Sequence, residues 1–340
     1  MSARTVPVTP TSSKIDTQRE RRVRRGEVLA SGLLFVLACI RILRFVSGSA
    51  SAASPRWSTA LSFFMFLALS YFGLSIRAVR MKLRSLMRSS KAAVFLGPGA
   101  LLAAALACVY VEGLPLEPRA VPYAVYLFVP AVILFREPGT SCPSSIQILT
   151  ATAALWLPIE FHLLPSLPLP PPDGYDAFRL VSVVAAFFLF LVARPIGSIG
   201  YTFLLERRDF ARACLALAVY AIVAAPLGLF SHFLKWNPQV TADNLLLLPV
   251  TIYLLTAVPE EFLFRGVIQN LLMRLLGPRA ALLLASVVFG LAHLPDLRYV
   301  VLATFAGVAY GWVYARTGKV TASALTHAGV DWIWLLLLRW

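Results

Sequence analysis

The sequence is poor in charge. Only 14% of its 340 residues are Asp, Glu, Lys or Arg, whereas 59% are hydrophobic, and the mean hydropathy is +0.77. Soluble domains carry about 25% charged residues, so this composition excludes an ordinary soluble domain. The apolar runs continue over roughly 15 to 20 residues without alternating polar positions, which argues against a β-barrel. We therefore predict an all-α, polytopic helical membrane protein with about eleven transmembrane helices.

Cysteine motifs and common zinc motifs are missing as well. The four cysteines stand singly in or beside apolar segments and form no CxxC pair, so packing is their expected role. There is no HExxH motif, in which one helix presents two zinc ligands. No internal repeat is visible, and this weighs against the two related halves that many transporters have.

Acidic residues are scarce, with 16 Asp and Glu against 31 Lys and Arg. Residues 1–26 hold seven basic and two acidic residues, and residues 77–91 hold six basic residues and no acidic one. Basic segments beside apolar spans favour the cytoplasmic side, where the lipid bilayer and its anionic headgroups are the expected partner, and no nucleic acid is expected. We predict that residues 1–26 form a cytoplasmic basic tail, and we expect the plasma membrane of a prokaryote as the location.

Two breaks divide the apolar spans. A proline-rich segment at 164–176 is incompatible with a helix and is expected in water or at the membrane interface, and a second break lies at 238–244. We predict an N-terminal transmembrane bundle of unknown role over residues 27–210 and a second bundle over 211–340. With the N-terminus in the cytoplasm, the alternation of spans predicts that Trp340 lies on the outer side.

The second bundle carries ionisable residues inside an apolar segment, the run VPEEFLFRG at 258–266. A carboxylate at bilayer depth costs several kcal/mol, so such residues are functional candidates. Glu261 and Arg265 are four residues apart on a predicted helix and are expected to pair. An ion pair that locks two helices explains these two residues. It does not explain Glu260, which is rotated by about 100° from Glu261.

Two more pairs follow at helical spacing, Phe289 with His293 in FGLAH and His327 with Asp331 in HAGVD. Taken singly, each has a structural explanation, as an interface histidine or as a charged pair between packed helices. Together with Glu260, however, two imidazoles on neighbouring helices form a set that holds and deprotonates a water molecule.

These motifs resemble those of the CPBP family, which includes the CAAX proteases and bacteriocin-processing enzymes. EEFLFR matches EExxxR, FGLAH matches FxxxH, and HAGVD resembles HxxxN, within about residues 211–338. The resemblance implies that Glu260 activates water and that His293 and His327 position it. It implies that Glu261 and Arg265 support the site or receive the end of the substrate.

Asp331 departs from the family motif, which often has asparagine at this position. A carboxylate cannot donate a hydrogen bond to an oxyanion unless it is protonated. Asp331 is therefore expected either to be protonated or to orient His327. Phe289, from the FxxxH motif, is expected to support the site.

A metal is the open question. Glu260, His293 and His327 have the composition of a Glu/His/His zinc set, but each comes from a different predicted helix. The resemblance implies a glutamate-type hydrolase without an obligatory metal. We therefore favour no cofactor and keep zinc, held by these three residues, as the alternative.

The predicted function is that of an intramembrane endopeptidase. It would hydrolyse a peptide bond near the C-terminus of a membrane-anchored protein substrate, of the sorting-tail or the CAAX type. The span count puts the site nearer the outer side, which favours an exported substrate with a sorting tail. The alternatives are a transporter or proton relay, and a non-catalytic immunity or scaffold protein of the same fold.

Overall fold

The structure is a computed structural model, and it describes residues 10–47, 55–87, 90–135, 143–167 and 177–339. Most of the proline-rich segment lies outside the described residues, as does Trp340. The predictions of a non-helical segment there and of an outer-side Trp340 therefore stay predictions.

The described chain is helical almost throughout, as its composition predicts. Its α-helices are α1 (Pro10–Ser47), α2 (Pro55–Gly73), α3 (Arg77–Met87), α4 (Leu96–Val111), α5 (Glu117–Ile133), α6 (Ser145–Glu160), α7 (Ala177–Phe188), α8 (Arg207–Phe230), α9 (Ala242–Leu246), α10 (Leu248–Ile252), α11 (Val258–Glu261), α12 (Asn270–Leu276), α13 (Pro278–Leu291), α14 (Leu297–Thr317) and α15 (Val320–Leu337). Shorter elements are a 3₁₀ turn (Lys91–Phe95), three π-helical stretches (Leu189–Ala193, Tyr253–Ala257 and Phe262–Gln269) and two antiparallel two-residue strands, β1 (Lys235–Trp236) and β2 (Leu338–Arg339).

Five of the described helices are long and apolar enough to cross a membrane, and a sixth span results if α2 and α3, bent by 98°, are taken as one. The chain is therefore an all-α integral membrane protein. The predicted count of about eleven spans is not confirmed. Several apolar stretches form shorter helices instead, such as Ala177–Ala193 and Pro278–Leu291, or are divided by π-helical turns.

Basic residues bind backbone carbonyls where helices end. Arg84 donates to the Leu191 carbonyl, in the π-helical stretch after α7, through Nε at 2.9 Å and Nη2 at 2.6 Å. Arg80 donates to the Leu74 carbonyl, just past the end of α2, at 2.6 Å and to the Tyr201 carbonyl, in the loop before α8, at 2.9 Å. Helix C-termini carry partial negative charge, so a cation is stabilised there. The helix α3 thus lies across the end of α7, and part of the basic charge predicted to face lipid is bound to the protein.

The same face of the molecule holds the turns around α8, α14 and α15. Lys319 Nζ lies 2.7 Å from Asp209 Oδ2 and 3.1 Å from the Leu204 carbonyl oxygen, and Arg212 donates to the Arg316 carbonyl at 3.0 Å. We call this side, with Arg80, Arg84, Arg212 and Lys319, the basic face. The helices α13 and α15 start there, so their C-terminal ends lie on the opposite side.

Two glycines fix the start of α15. Gly318 ends α14 in the left-handed conformation, with φ of 65°. Gly200, with φ of 67°, approaches so closely that a Cβ there would lie 1.6 Å from the Gly318 carbonyl oxygen. Only glycine combines this backbone angle with this approach. The contact sets the position of α15, which carries His327 two turns further on.

The helical segment from Leu248 to Leu276 is interrupted by π-helical turns on both sides of α11. Pro259 lies in α11 and lacks a backbone N–H, so the regular ladder of hydrogen bonds is broken at this point. A π-turn holds an extra residue and rotates the following side chains about the axis; such turns are frequent at functional sites. The short α11 packs against α15, and it brings both glutamates to His327.

Candidate active site

Glu261 lies at the centre of a closed cluster of polar side chains. Its Oε2 accepts hydrogen bonds from Arg265 Nε at 2.9 Å and from the Ser323 hydroxyl at 2.5 Å. Its Oε1 lies 3.1 Å from His327 Nδ1. Glu261 and Arg265 are both fully buried, with 0% exposure. The pairing at helical spacing is present as predicted, whereas the bond to His327 was not foreseen.

The guanidinium of Arg265 is enclosed by aromatic rings. Its Cζ lies 5.2 Å from the ring centroid of Phe289 and 5.9 Å from that of Tyr310. Within the described part of the chain, neither Nη atom has a hydrogen-bond partner, so the ring faces provide the remaining stabilisation. Arg265 is sealed from solvent and from the cavities described below. Its polar contact is with Glu261, and it lines neither of the two cavities.

Glu260 has a different environment from its neighbour. Its side chain is 38% exposed, and its Oε2 lies 3.8 Å from His327 Nε2. This distance is too long for a direct hydrogen bond. One water molecule between the two atoms would be within about 3 Å of each. Glu260 therefore faces a space in which it can share a water molecule with the imidazole.

His327 connects Glu260 with the closed cluster. An ionised Glu261 can only accept a hydrogen bond, so the proton of a neutral His327 is assigned to Nδ1 and Nε2 carries the lone pair. Asp331 Oδ2 lies 3.5 Å from the same Nε2, and the Tyr310 ring stacks on the imidazole at a centroid distance of 4.6 Å. The ring is thus fixed on one face by Tyr310 and at Nδ1 by Glu261. Asp331 lies beside Nε2, where a carboxylate can pair only with a protonated imidazole, whereas a protonated aspartate can donate to the neutral ring.

His293 follows the end of α13 and faces the same space. Its Nδ1 lies 2.8 Å from the Phe289 carbonyl oxygen, which can only accept, so Nδ1 is the donor and Nε2 of a neutral ring is an acceptor. Its ring centroid lies 4.9 Å from that of Phe289 and 4.4 Å from that of Tyr299. The Phe289 ring also packs against His327 at 5.6 Å. Phe289 therefore separates and positions the two histidines.

These side chains surround a polar cavity of about 100 Å³. A cavity of this volume holds several water molecules. Three tyrosines that the sequence analysis did not single out complete its wall, and the polar side chains that line it are those of Tyr220, Thr256, Glu260, His293, Tyr299, Tyr310, His327 and Asp331. A signal for two of them exists in the sequence: Tyr299 and Tyr310 are three turns apart, on one face of a predicted helix.

A second, larger cavity of about 370 Å³ lies beside the polar cavity. Its wall is mainly apolar and comes from α6, α7 and the segment 255–267. Thr256, Glu260 and His293 line both cavities. Glu260 and His293 therefore stand between a small space suited to water and a large space suited to an apolar ligand.

The described residues provide no set of ligands for the alternative of a zinc site. Among the described residues, no group of three His, Cys, Asp or Glu side chains converges closely enough to hold a metal ion. Glu260, His293 and His327 thus share a cavity without forming the compact tetrahedral arrangement that zinc requires.

Comparison with known families adds one match. Residues 242–333 match the model of the family described as type II CAAX prenyl endopeptidase Rce1-like. The matched segment begins at α9, ends within α15 and contains all seven predicted site residues. The matched family is a protease family, consistent with the resemblance to CPBP proteases. No curated protein and no solved structure matches the chain.

Proposed function

We propose that this chain, which over residues 242–333 is similar to CAAX prenyl endopeptidases, is an intramembrane endopeptidase that uses glutamate-activated water. One observation carries the proposal most. Of two adjacent glutamates, Glu261 is held in a buried ion cluster, whereas Glu260 faces a polar cavity in which His327 Nε2 lies 3.8 Å away. A carboxylate and imidazoles around a water-sized space suit hydrolysis.

In the proposed reaction, a water molecule donates one hydrogen bond to Glu260 and the other to His327 Nε2. Glu260 takes a proton as the water oxygen attacks the scissile carbonyl carbon. The C–N bond then breaks, and the departing amine receives the proton from Glu260. His293 lines the same cavity, and its acceptor Nε2 holds the substrate by accepting from an amide N–H.

The oxyanion that forms during this attack needs hydrogen-bond donors. Neutral His293 and His327 present acceptors, because each uses its Nδ1 proton within the protein. We propose that phenol hydroxyls of the polar cavity, in the first place that of Tyr310, donate instead. This assignment removes the need for Asp331 to donate to the oxyanion.

The proposed substrate is a membrane-anchored protein cleaved near its C-terminus. The large cavity extends along α6 and α7. Its charged residues Glu160 and Arg179 lie at the end of α6 and the start of α7, away from the basic face because α7 ends there. If the basic face is cytoplasmic, the site opens toward the outer side. This favours an exported protein with a C-terminal sorting tail, in the plasma membrane of a prokaryote, over a prenylated protein that arrives from the cytoplasm.

The roles of the three parts of the chain follow from where the two cavities lie. We propose that residues 211–340 form the catalytic bundle, that residues 27–210 complete the substrate side of the large cavity, and that residues 1–26 remain a cytoplasmic tail. A reporter fused after Trp340 tests the sidedness: an external C-terminus is expected, and a cytoplasmic one would favour the prenylated substrate.

The substitution Glu260→Gln tests the proposed base. It keeps size and polarity but removes the basic oxygen, so we expect cleavage of a membrane-anchored substrate to fall about a thousandfold or more. Expression and membrane insertion should be unchanged, because Glu260 takes no part in the closed cluster. Cleavage that persists in this variant would contradict the assignment of Glu260 as the base.

A further inference from the structure

The N-terminal bundle contributes two charged residues to the large cavity, and both lie outside the segment matched by the protease family. Glu160 is in the last turn of α6, and Arg179 is in the first turn of α7. Both side chains are exposed. They line the same cavity as Glu260, so a ligand that contacts them can extend to the proposed base.

The two charges differ in their partners. Glu160 Oε2 accepts a hydrogen bond from Trp156 Nε1 at 3.2 Å. Arg179 makes no hydrogen bond or close ion pair with any residue in the described part of the chain, and the charge that acts on it from the same cavity is that of Glu260. An exposed arginine that lines a cavity without a close partner is a candidate for ligand binding.

We infer that Arg179 binds a carboxylate of the peptide substrate and so determines which peptides occupy the large cavity. A guanidinium offers two parallel N–H donors that match the two oxygens of a carboxylate. The apolar wall, with Phe187 and Leu263, accommodates the neighbouring apolar side chains. The carboxylate belongs either to the substrate's C-terminus or to an acidic side chain; the recognition chemistry is the same.

Arg265 cannot supply this interaction, because it is 0% exposed and already paired with Glu261. None of the other arginines in the segment 242–333 lines the large cavity, and two of them have partners: Arg274 donates to the Gly197 carbonyl at 2.6 Å and Arg298 pairs with Asp296 at 2.8 Å. The determinant of carboxylate binding therefore comes from the N-terminal bundle. This gives residues 27–210 a role in selecting the substrate.

The inference rests on the proposed function only because it takes the bound peptide to be the substrate. Binding is therefore measured without cleavage. The full chain carrying Glu260→Gln is placed in phosphatidylcholine nanodiscs, which present no anionic headgroup. Its affinity is measured by fluorescence anisotropy for a short Leu/Ala peptide labelled at the N-terminus. The peptide is used with a free C-terminal carboxylate, as the C-terminal amide, and as the amide with one internal glutamate.

We expect at least one acidic peptide to bind about fivefold more tightly than the neutral amide, as for a partly exposed ion pair. Which acidic peptide gains affinity identifies the source of the carboxylate. Adding Arg179→Gln should abolish the difference, and Arg179→Lys should keep part of it because the charge remains without the paired donors. Lys235→Gln, which removes an exposed charge on β1 outside the cavity, should leave the difference unchanged.

Three results would overturn the inference. The first is equal affinity for all three peptides in the chain with Arg179 present. The second is an acidic preference that survives Arg179→Gln, and the third is an equal loss for acidic and neutral peptides, which would mark Arg179 as a support of the cavity wall. Every comparison is made within the Glu260→Gln chain and none depends on whether Glu260 is the catalytic base, so the two proposals fail separately.

Discussion

Two adjacent glutamates occupy two different regions of the molecule. The carboxylate of Glu261 is enclosed by protein: Arg265, Ser323 and His327 bind it, and solvent does not reach it. Around Glu260, the protein leaves a polar cavity and a side chain that is 38% exposed. A buried charge with satisfied partners holds helices in place. A carboxylate that faces a cavity is free to exchange a proton.

His327 belongs to both regions. Its Nδ1 is bound by the closed cluster and its Nε2 faces the polar cavity. The cluster therefore has a function beyond stability, because it fixes the tautomer and the orientation of the imidazole that Glu260 faces. Substitutions that affect one region and spare the other test this view.

The largest effect on stability is expected from Glu261→Gln. The change leaves the buried guanidinium of Arg265 without its counter-charge, and breaking a buried ion pair on one side costs about 3 kcal/mol or more. The thermal unfolding midpoint in detergent should therefore drop, whereas Glu260→Gln should leave it unchanged.

A companion variant separates the ion pair from other causes of instability. Glu261→Gln combined with Arg265→Met removes both charges, so part of the lost stability should return. If the single and the double variants unfold at the same temperature as the unmodified chain, Glu261 is not the structural carboxylate described here.

A smaller effect, on activity alone, is expected from Tyr310→Phe. The phenyl ring keeps the stacking on His327, and only the hydroxyl of the polar cavity is lost. If this hydroxyl donates to the oxyanion, kcat should fall about a hundredfold with little change in KM or in the unfolding midpoint. An unchanged kcat would assign the oxyanion to another donor of the cavity, with Tyr220→Phe and Tyr299→Phe as the next variants.

No effect is expected from chelation. A zinc mechanism would need Glu260 and both histidines to act as ligands of one ion, and they lie apart in the polar cavity. Activity of the purified chain should persist after treatment with EDTA. Activity that disappears with EDTA and returns with zinc would show that the polar cavity rearranges around a metal.

The local part of the site could be predicted from the sequence. Glu261 and Arg265 are four residues apart, and so are Phe289 and His293, so their contacts follow from helical geometry alone. The bond between Glu261 and His327 depends on the packing of α11 against α15. No spacing rule covers a contact between residues that are so distant in the chain.

The helical segment around Glu260 shows where sequence analysis falls short. One regular span was predicted there, whereas the structure has π-helical turns before Val258 and after Glu261. Hydrophobicity gives no signal for a π-turn, and Pro259 was the only local hint. The count of about eleven spans is not confirmed for a related reason, since apolar runs were counted as uninterrupted helices.

Tyr220, Tyr299 and Tyr310 were missed because tyrosine is common in apolar helices and carries no charge. Their place in the polar cavity depends on how α8 and α14 pack together. Arg179 was missed because its segment has no motif. Its importance follows from the cavity that it shares with Glu260.

The most direct test of Glu260 as the catalytic base compares membrane proteins from cells that carry either the unmodified chain or Glu260→Gln, using the mass of each C-terminal peptide. We predict at least one membrane-anchored protein that keeps its original C-terminus in the Glu260→Gln cells and is shortened when the unmodified chain is present. Identical C-terminal masses for all membrane proteins in the two strains would contradict the account.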